Sequence, residues 1–131
     1  MTVTREVHWD LPADPAVVAK ARHLVRETLT SWGMRALAED VTVVVSELLT
    51  NAVMHAQPPI TLSLKRAGRA LRGEVADQGG IWLDHGGQLC PADGEHGRGL
   101  HIVNALADRW GVHPGKDETG KVVWFSRLMG S

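Results

Sequence analysis

The sequence predicts an α+β fold: a two-layer α/β sandwich with three helices on one face of a mixed, mostly antiparallel sheet. Two observations carry that expectation. Three segments repeat their apolar residues at the helical period, whereas five others alternate apolar and polar residues at the strand period. Their order, β-α-α-β-β-loop-α-β-β, links most strands as neighbours and segregates the helices, the arrangement of a sheet covered on one side.

Val3, Val7 and Trp9 alternate with Arg5, Glu6 and His8, which predicts a half-buried first strand. Asp14-Pro15 then supplies an N-cap and a first-turn proline. Val17/Val18, Ala21, Leu24/Val25, Thr28/Leu29 and Trp32 follow at helical spacing up to Gly33. From Leu37 to His55, Val41, Val44, Val45, Leu48 and Ala52 keep the same period. The run Val41 to Val45 alone would suit a strand, and the length of the pattern decides for a helix.

After Gln57-Pro58-Pro59, Ile60, Leu62 and Leu64 alternate with Thr61, Ser63 and Lys65. Ala67-Gly68-Arg69 turns the chain into a returning strand, Leu71 to Asp77, with Leu71, Gly73 and Val75 on one face. Gln78 to Arg98 holds six glycines and a proline without sustained periodicity, a length that points to a functional lid. A third helix is expected through Leu100, Ile102/Val103, Leu106/Ala107 and Trp110. Two strands follow it, Gly111 to His113 and Val122 to Leu128. The tryptophans other than Trp82 fall on apolar positions and are expected in the core.

A chain of 131 residues with 44% hydrophobic content can bury one core unaided, so a single domain over 1–131 is expected. The net charge of -1 gives no basic footprint for nucleic acid. The lone Cys90 precludes an internal disulfide, and the first ten residues lack the basic and apolar regions of a secretion signal. A cytoplasmic setting is therefore expected. The most apolar stretch, Val41 to Val53, is interrupted by Ser46, Glu47, Thr50 and Asn51 and is too short to span a bilayer.

Three short elements carry chemistry. Glu47, Asn51 and His55 stand at i, i+4 and i+8 on one helix stripe beside the apolar face. An amide oxygen is a hard ligand suited to Mg²⁺, and a carboxylate one turn away can take a proton from a hydroxyl. Asp77 ends a strand and meets Gly79 and Gly80; an acceptor-only carboxylate there can receive the exocyclic amine of adenine. Gly97-Arg98-Gly99-Leu100 opens the last helix, where unpaired N–H groups and the macrodipole favour phosphate oxygens. Singly, each has an ordinary explanation as a solvated helix flank, a turn or a helix cap.

In this order the three elements resemble the N, G1 and G2 boxes of the histidine-kinase-like ATPases, whose ATP site is built on a Bergerat-type sandwich. The strings Ser46 to Ala56 and Gly97 to Asp108 are most similar to the anti-sigma-factor serine kinase branch. The resemblance implies ATP and Mg²⁺ as ligands, with Glu47 as general base and Asn51 on the metal. Asp77 would read adenine, and Gly79, Gly97, Arg98, Gly99 and Leu100 would contact the nucleotide. It also implies an anti-sigma-factor antagonist or a sigma factor as partner, and is compatible with a homodimer. A module that sequesters a partner without turnover is the alternative. The catalytic half of a sensor kinase is not expected, because no helical hairpin with a phosphoacceptor histidine precedes the domain. Two departures stand out: Ile81 replaces the second glycine of D-x-G-x-G, and the last box, usually Gly-Thr, reads Gly120-Lys121, which removes a hydroxyl near the base.

Overall fold

The computed structural model describes residues 4–55, 59–78, 81–83, 89–91, 96–115 and 120–130. Strand β1 (Thr4–Leu11) leads into helix α1 (Ala16–Ser31), a 3₁₀ turn (Arg35–Leu37) and helix α2 (Ala38–His55). Strands β2 (Ile60–Ala67) and β3 (Ala70–Asp77) follow, then the short strands β4 (Ile81–Leu83) and β5 (Leu89–Pro91). Helix α3 (His96–Leu106) and strands β6 (Arg109–Pro114) and β7 (Lys121–Leu128) complete the chain. The main sheet has the order β1-β2-β3-β7-β6, and every pairing in it is antiparallel, so no described pair is of the parallel kind that a mixed sheet would contain.

The helix boundaries have local causes. Asp14 Oδ1 accepts the N–H of Ala16 at 2.9 Å, which satisfies a donor at the start of α1. At its other end Gly33 adopts φ 74°. The Met34 N–H bonds Leu29 O and the Gly33 N–H bonds Thr30 O, the paired bonds of a Schellman stop. Between those ends Val17, Ala21, Val25 and Leu29 form one buried stripe. On α2, Val41, Val44, Val45, Leu48, Leu49 and Ala52 are buried, and the helix packs against α1, α3 and β3. Burial on two sides explains why a valine-rich run is helical: tertiary packing overrides its local strand propensity.

Alternation divides the sheet into two faces. Leu71, Gly73, Val75 and Asp77 of β3 are buried with Lys121, Val123 and Phe125 of β7, and the residues between them are partly exposed. Gly73 lies directly opposite Phe125, and a Cβ placed on it would stand 2.3 Å from the ring. The missing side chain is the space that the buried ring fills.

Three expectations need correction. The third helix stops at Leu106, and Trp110 belongs to β6, because Asp108 is captured by β7: its N–H donates to Ser126 O at 2.9 Å and its Oδ2 accepts the Leu128 N–H at 2.6 Å. The lid segment contains the small β4–β5 antiparallel pair where no strand was expected; residues 79–80, 84–88 and 92–95 lie outside the described set. Trp124 faces away from the core, with the Arg72 guanidinium 4.5 Å above its ring. Among the described residues, no helix is long and apolar enough to cross a membrane.

The contact of Gly73 with Phe125 is testable by substitution. Gly73→Ala should destabilise the fold by about 1–3 kcal/mol, since the added methyl must displace a ring held in a close-packed core. Urea unfolding should show a lower midpoint at unchanged slope; an unchanged midpoint would show that the ring has room to move.

Candidate functional site

Glu47 and Asn51 sit one turn apart on α2, both half-buried at the border of its apolar face. Their stripe continues to His55, whose side chain lies outside the described set. A neighbouring hydroxyl is fixed within the same helix. Ser46 Oγ donates to Thr42 O at 2.8 Å and accepts from Arg22 Nε at 2.8 Å, which ties α1 to α2.

Asp77 ends β3 and is 3% exposed. Its register partner across the strand pair is Lys121, 6% exposed, and Lys121 Nζ donates to Asp77 Oδ1 at 2.9 Å. A buried charge is tolerable when it is paired and hydrogen-bonded, and here each ion supplies the other's partner. Gly120, immediately before Lys121, has φ 65°, and a Cβ there would stand 2.1 Å from the backbone oxygen of Asp77. Only a glycine lets the chain pass that close to β3. The two residues of the last box are therefore in direct contact with the strand-end aspartate. The missing hydroxyl was legible at Lys121 in the sequence; the ion pair was not, because it depends on a register between strands 44 residues apart.

Gly97, Arg98, Gly99 and Leu100 form the opening turns of α3, which begins at His96 rather than after the glycines. Backbone N–H groups of a first turn, including that of Gly97, have no partner within the helix and suit an anion. The side chains of Arg98 and Leu100 lie outside the described set, as does Gly79 altogether. Ile81 opens β4, and its side chain is likewise not described.

Helix α2 packs on both β3 and α3. The helix with Glu47 and Asn51 thus runs between the strand that ends in Asp77 and the helix that opens with Gly97. The donor set fits Mg-nucleotide chemistry: one amide oxygen, one carboxylate and a helix start. Among the described residues, no group of three or more His, Cys, Asp or Glu side chains is placed to hold a metal.

A groove of about 730 Å³ lies mainly on the other side of the sheet. Its lining includes His8, Ser63, Lys65, Arg72, Glu74 and His113, and it reaches Asp77 and Lys121 at the strand ends. Neither Glu47 nor Asn51 lines it. It is therefore not the pocket that the α2 stripe was expected to edge.

A family model described as the histidine kinase-like ATPase domain matches residues 11–127. Among solved structures, the chain is similar to the RsbU and RsbW domains of a Mycobacterium tuberculosis protein, at 21% identity and TM-score 0.72, over 95% of this chain and 32% of that one. It is also similar to the histidine kinase domain of a blue-light activated histidine kinase from Erythrobacter litoralis, at 19% identity and TM-score 0.52, over 91% of this chain and 62% of that one. The chain thus spans less than two thirds of either structure, and at these identities the likeness is one of fold. No curated protein matches it.

The buried pair predicts a strongly non-additive pair of substitutions. Lys121→Met alone should cost about 3–5 kcal/mol, because it removes the buried cation beside the Asp77 carboxylate, and Asp77→Leu alone should cost a similar amount. The double variant should be much less destabilised than the sum, since no charge remains buried. Denaturant unfolding of the four proteins measures the coupling; simple additivity would show that the two ions do not depend on each other.

Proposed function

Since the chain belongs to the histidine kinase-like ATPase family, we propose that it is an ATP-binding regulatory protein that phosphorylates a serine on an anti-sigma-factor antagonist and binds a sigma factor as its other client. The observation that carries this reading is the packing of α2, with Glu47 and Asn51, between β3, which ends in Asp77, and α3, which opens with Gly97. Three chemical requirements of phosphoryl transfer then fall on three adjoining elements. The likeness of fold to the RsbW-containing structure supports the choice among kinase-type readings.

In this reading Asp77 accepts a hydrogen bond from the base, while Gly97, Gly99 and the start of α3 hold phosphate oxygens through backbone N–H groups. Asn51 would hold Mg²⁺, whose charge offsets that of the phosphates. The attacking group is the partner's serine hydroxyl. Glu47 takes its proton as the new O–P bond forms and ADP departs. Glu47 is suited to that role because it is half-buried on the stripe shared with Asn51, close to water yet beside the apolar face.

One observation favours a second reading, a module that sequesters its partner without turnover. The Lys121 ammonium occupies Asp77 Oδ1, the kind of acceptor a base amine would use.

Two substitutions separate the readings. Glu47→Gln keeps shape and reach but cannot take a proton, so ATP affinity should persist while transfer falls by roughly 10²–10⁴-fold. Asn51→Ala should weaken binding of Mg-ATP itself. Transfer of γ-labelled phosphate to a candidate antagonist, measured beside ATP titrations, tests both. A Glu47→Gln protein that works at the normal rate removes Glu47 from the chemistry, and a wild type that binds its partner without any transfer selects the module.

A further inference from the structure

We propose that Arg127 is a positioning residue of the nucleotide site: by clamping the start of α2 to the corner after α3, it sets the two helices in the register that brings Asn51 level with the first turn of α3. The inference rests on the nucleotide reading given above and concerns how metal and phosphate are brought together in it.

Arg127 continues the inward row of β7 that holds Lys121, Val123 and Phe125, so its side chain rises from the sheet toward the helix layer. There its fork divides. Nη2 donates to Asp40 Oδ2 at 2.7 Å, and Nη1 stands 3.7 Å from Asp108 Oδ1. Asp40 belongs to the first turn of α2, and Asp108 follows the last residue of α3 by two. Asp108 is itself held on β7 through the Ser126 carbonyl and the Leu128 N–H. A planar guanidinium can address carboxylates on two elements at once, which a single ammonium does poorly.

The clamp joins the start of one helix to the end of the other. Because α2 and α3 also pack against each other, they run from it in opposite senses. Eleven residues lead from Asp40 to Asn51, and eleven separate Gly97 from Asp108. The first run is wholly helical and spans about 16 Å; the second is helical up to Leu106 and reaches nearly as far. Asn51 thus comes level with the Gly97 turn, whose unpaired N–H groups suit phosphate. In the nucleotide reading the metal ligand and the phosphate subsite lie on separate helices, and Arg127 ties those helices at their shared end.

Stability does not account for the clamp. The Asp40 and Asp108 side chains are 39% and 41% exposed, and ion pairs so open to water contribute little. Arg127 Nε is buried without a hydrogen-bond partner among the described residues, which costs free energy. What one guanidinium between two carboxylates supplies is placement, and a shift of about 1 Å in a site can cost on the order of 100-fold.

The experiment compares ATP affinity in Mg²⁺ and in EDTA, read from displacement of a fluorescent ATP analogue on the intact chain. Mg²⁺ should strengthen ATP binding to the wild type. Arg127→Met leaves both carboxylates open to water, so it should fold. It should lose at least about tenfold of the Mg²⁺ enhancement, while affinity in EDTA stays within about threefold of the wild type. Asp40→Ala should lose as much, and combining the two should cost nothing further.

A merely structural role would weaken ATP equally with and without metal; that result, or an enhancement unchanged in folded Arg127→Met, overturns the proposal and leaves the nucleotide reading intact. Losses that simply add in the double variant also overturn it, since the two residues would not act as one clamp. If Arg127→Met fails to fold, Asp40→Ala decides alone. A wild type that binds ATP equally well in Mg²⁺ and in EDTA overturns it too, with nucleotide binding retained. Failure of ATP to bind at all removes the nucleotide reading and this inference together.

Discussion

The alternation of β3 is the constraint on which the other parts of the molecule depend. One row of that strand, Leu71, Gly73, Val75 and Asp77, faces the core. It begins with an apolar contact, opens a gap for Phe125 and ends in a carboxylate. A shift of one residue would turn all four to the other face and bury Arg72 and Glu74 in their place. Because β3 is flanked by β2 and β7 and covered by α2, its register also fixes where the last strand and the central helix stand. The ion pair at the end of the row is thus a consequence of the same alternation that packs the core.

Much of the fold was legible because its signals are local. Asp14-Pro15 and Gly33 bracket α1, and the turn at Gly68-Arg69 joins two alternating stretches whose inward residues could be read in advance. The central helix was legible for another reason: its apolar period runs longer than any strand. What escaped was set by distant partners. Trp110 continues the helical spacing of Leu106, so only the bonds from Asp108 to β7 reveal that the helix has already ended. Trp124 reads as core by composition, yet cross-strand register places it on the open side under Arg72.

For the candidate site the division is similar. The stripe of Glu47 and Asn51 and the strand-end position of Asp77 follow from short-range spacing. The sequence also exposed Gly120-Lys121 as unusual, but recorded it as a hydroxyl lost. The structure replaces that absence with a gain, a cation held against the carboxylate. A residue's chemistry can be read from its letter, but its partner follows from the register of the strands.

The strand order β1-β2-β3-β7-β6 leaves the sheet open, with β1 and β6 as its rims. Open rims invite other chains to add strands, the first step of many aggregates. Here both are blunted. The outer strand at one side carries Arg5, Glu6, His8 and Asp10, all exposed, and the other carries exposed Arg109 and ends at Pro114. Desolvating those charges, or seating an incoming strand on a proline that lacks an N–H, opposes rim-to-rim growth. Protection against edge pairing thus resides in the two outermost strands, apart from the residues that would handle nucleotide.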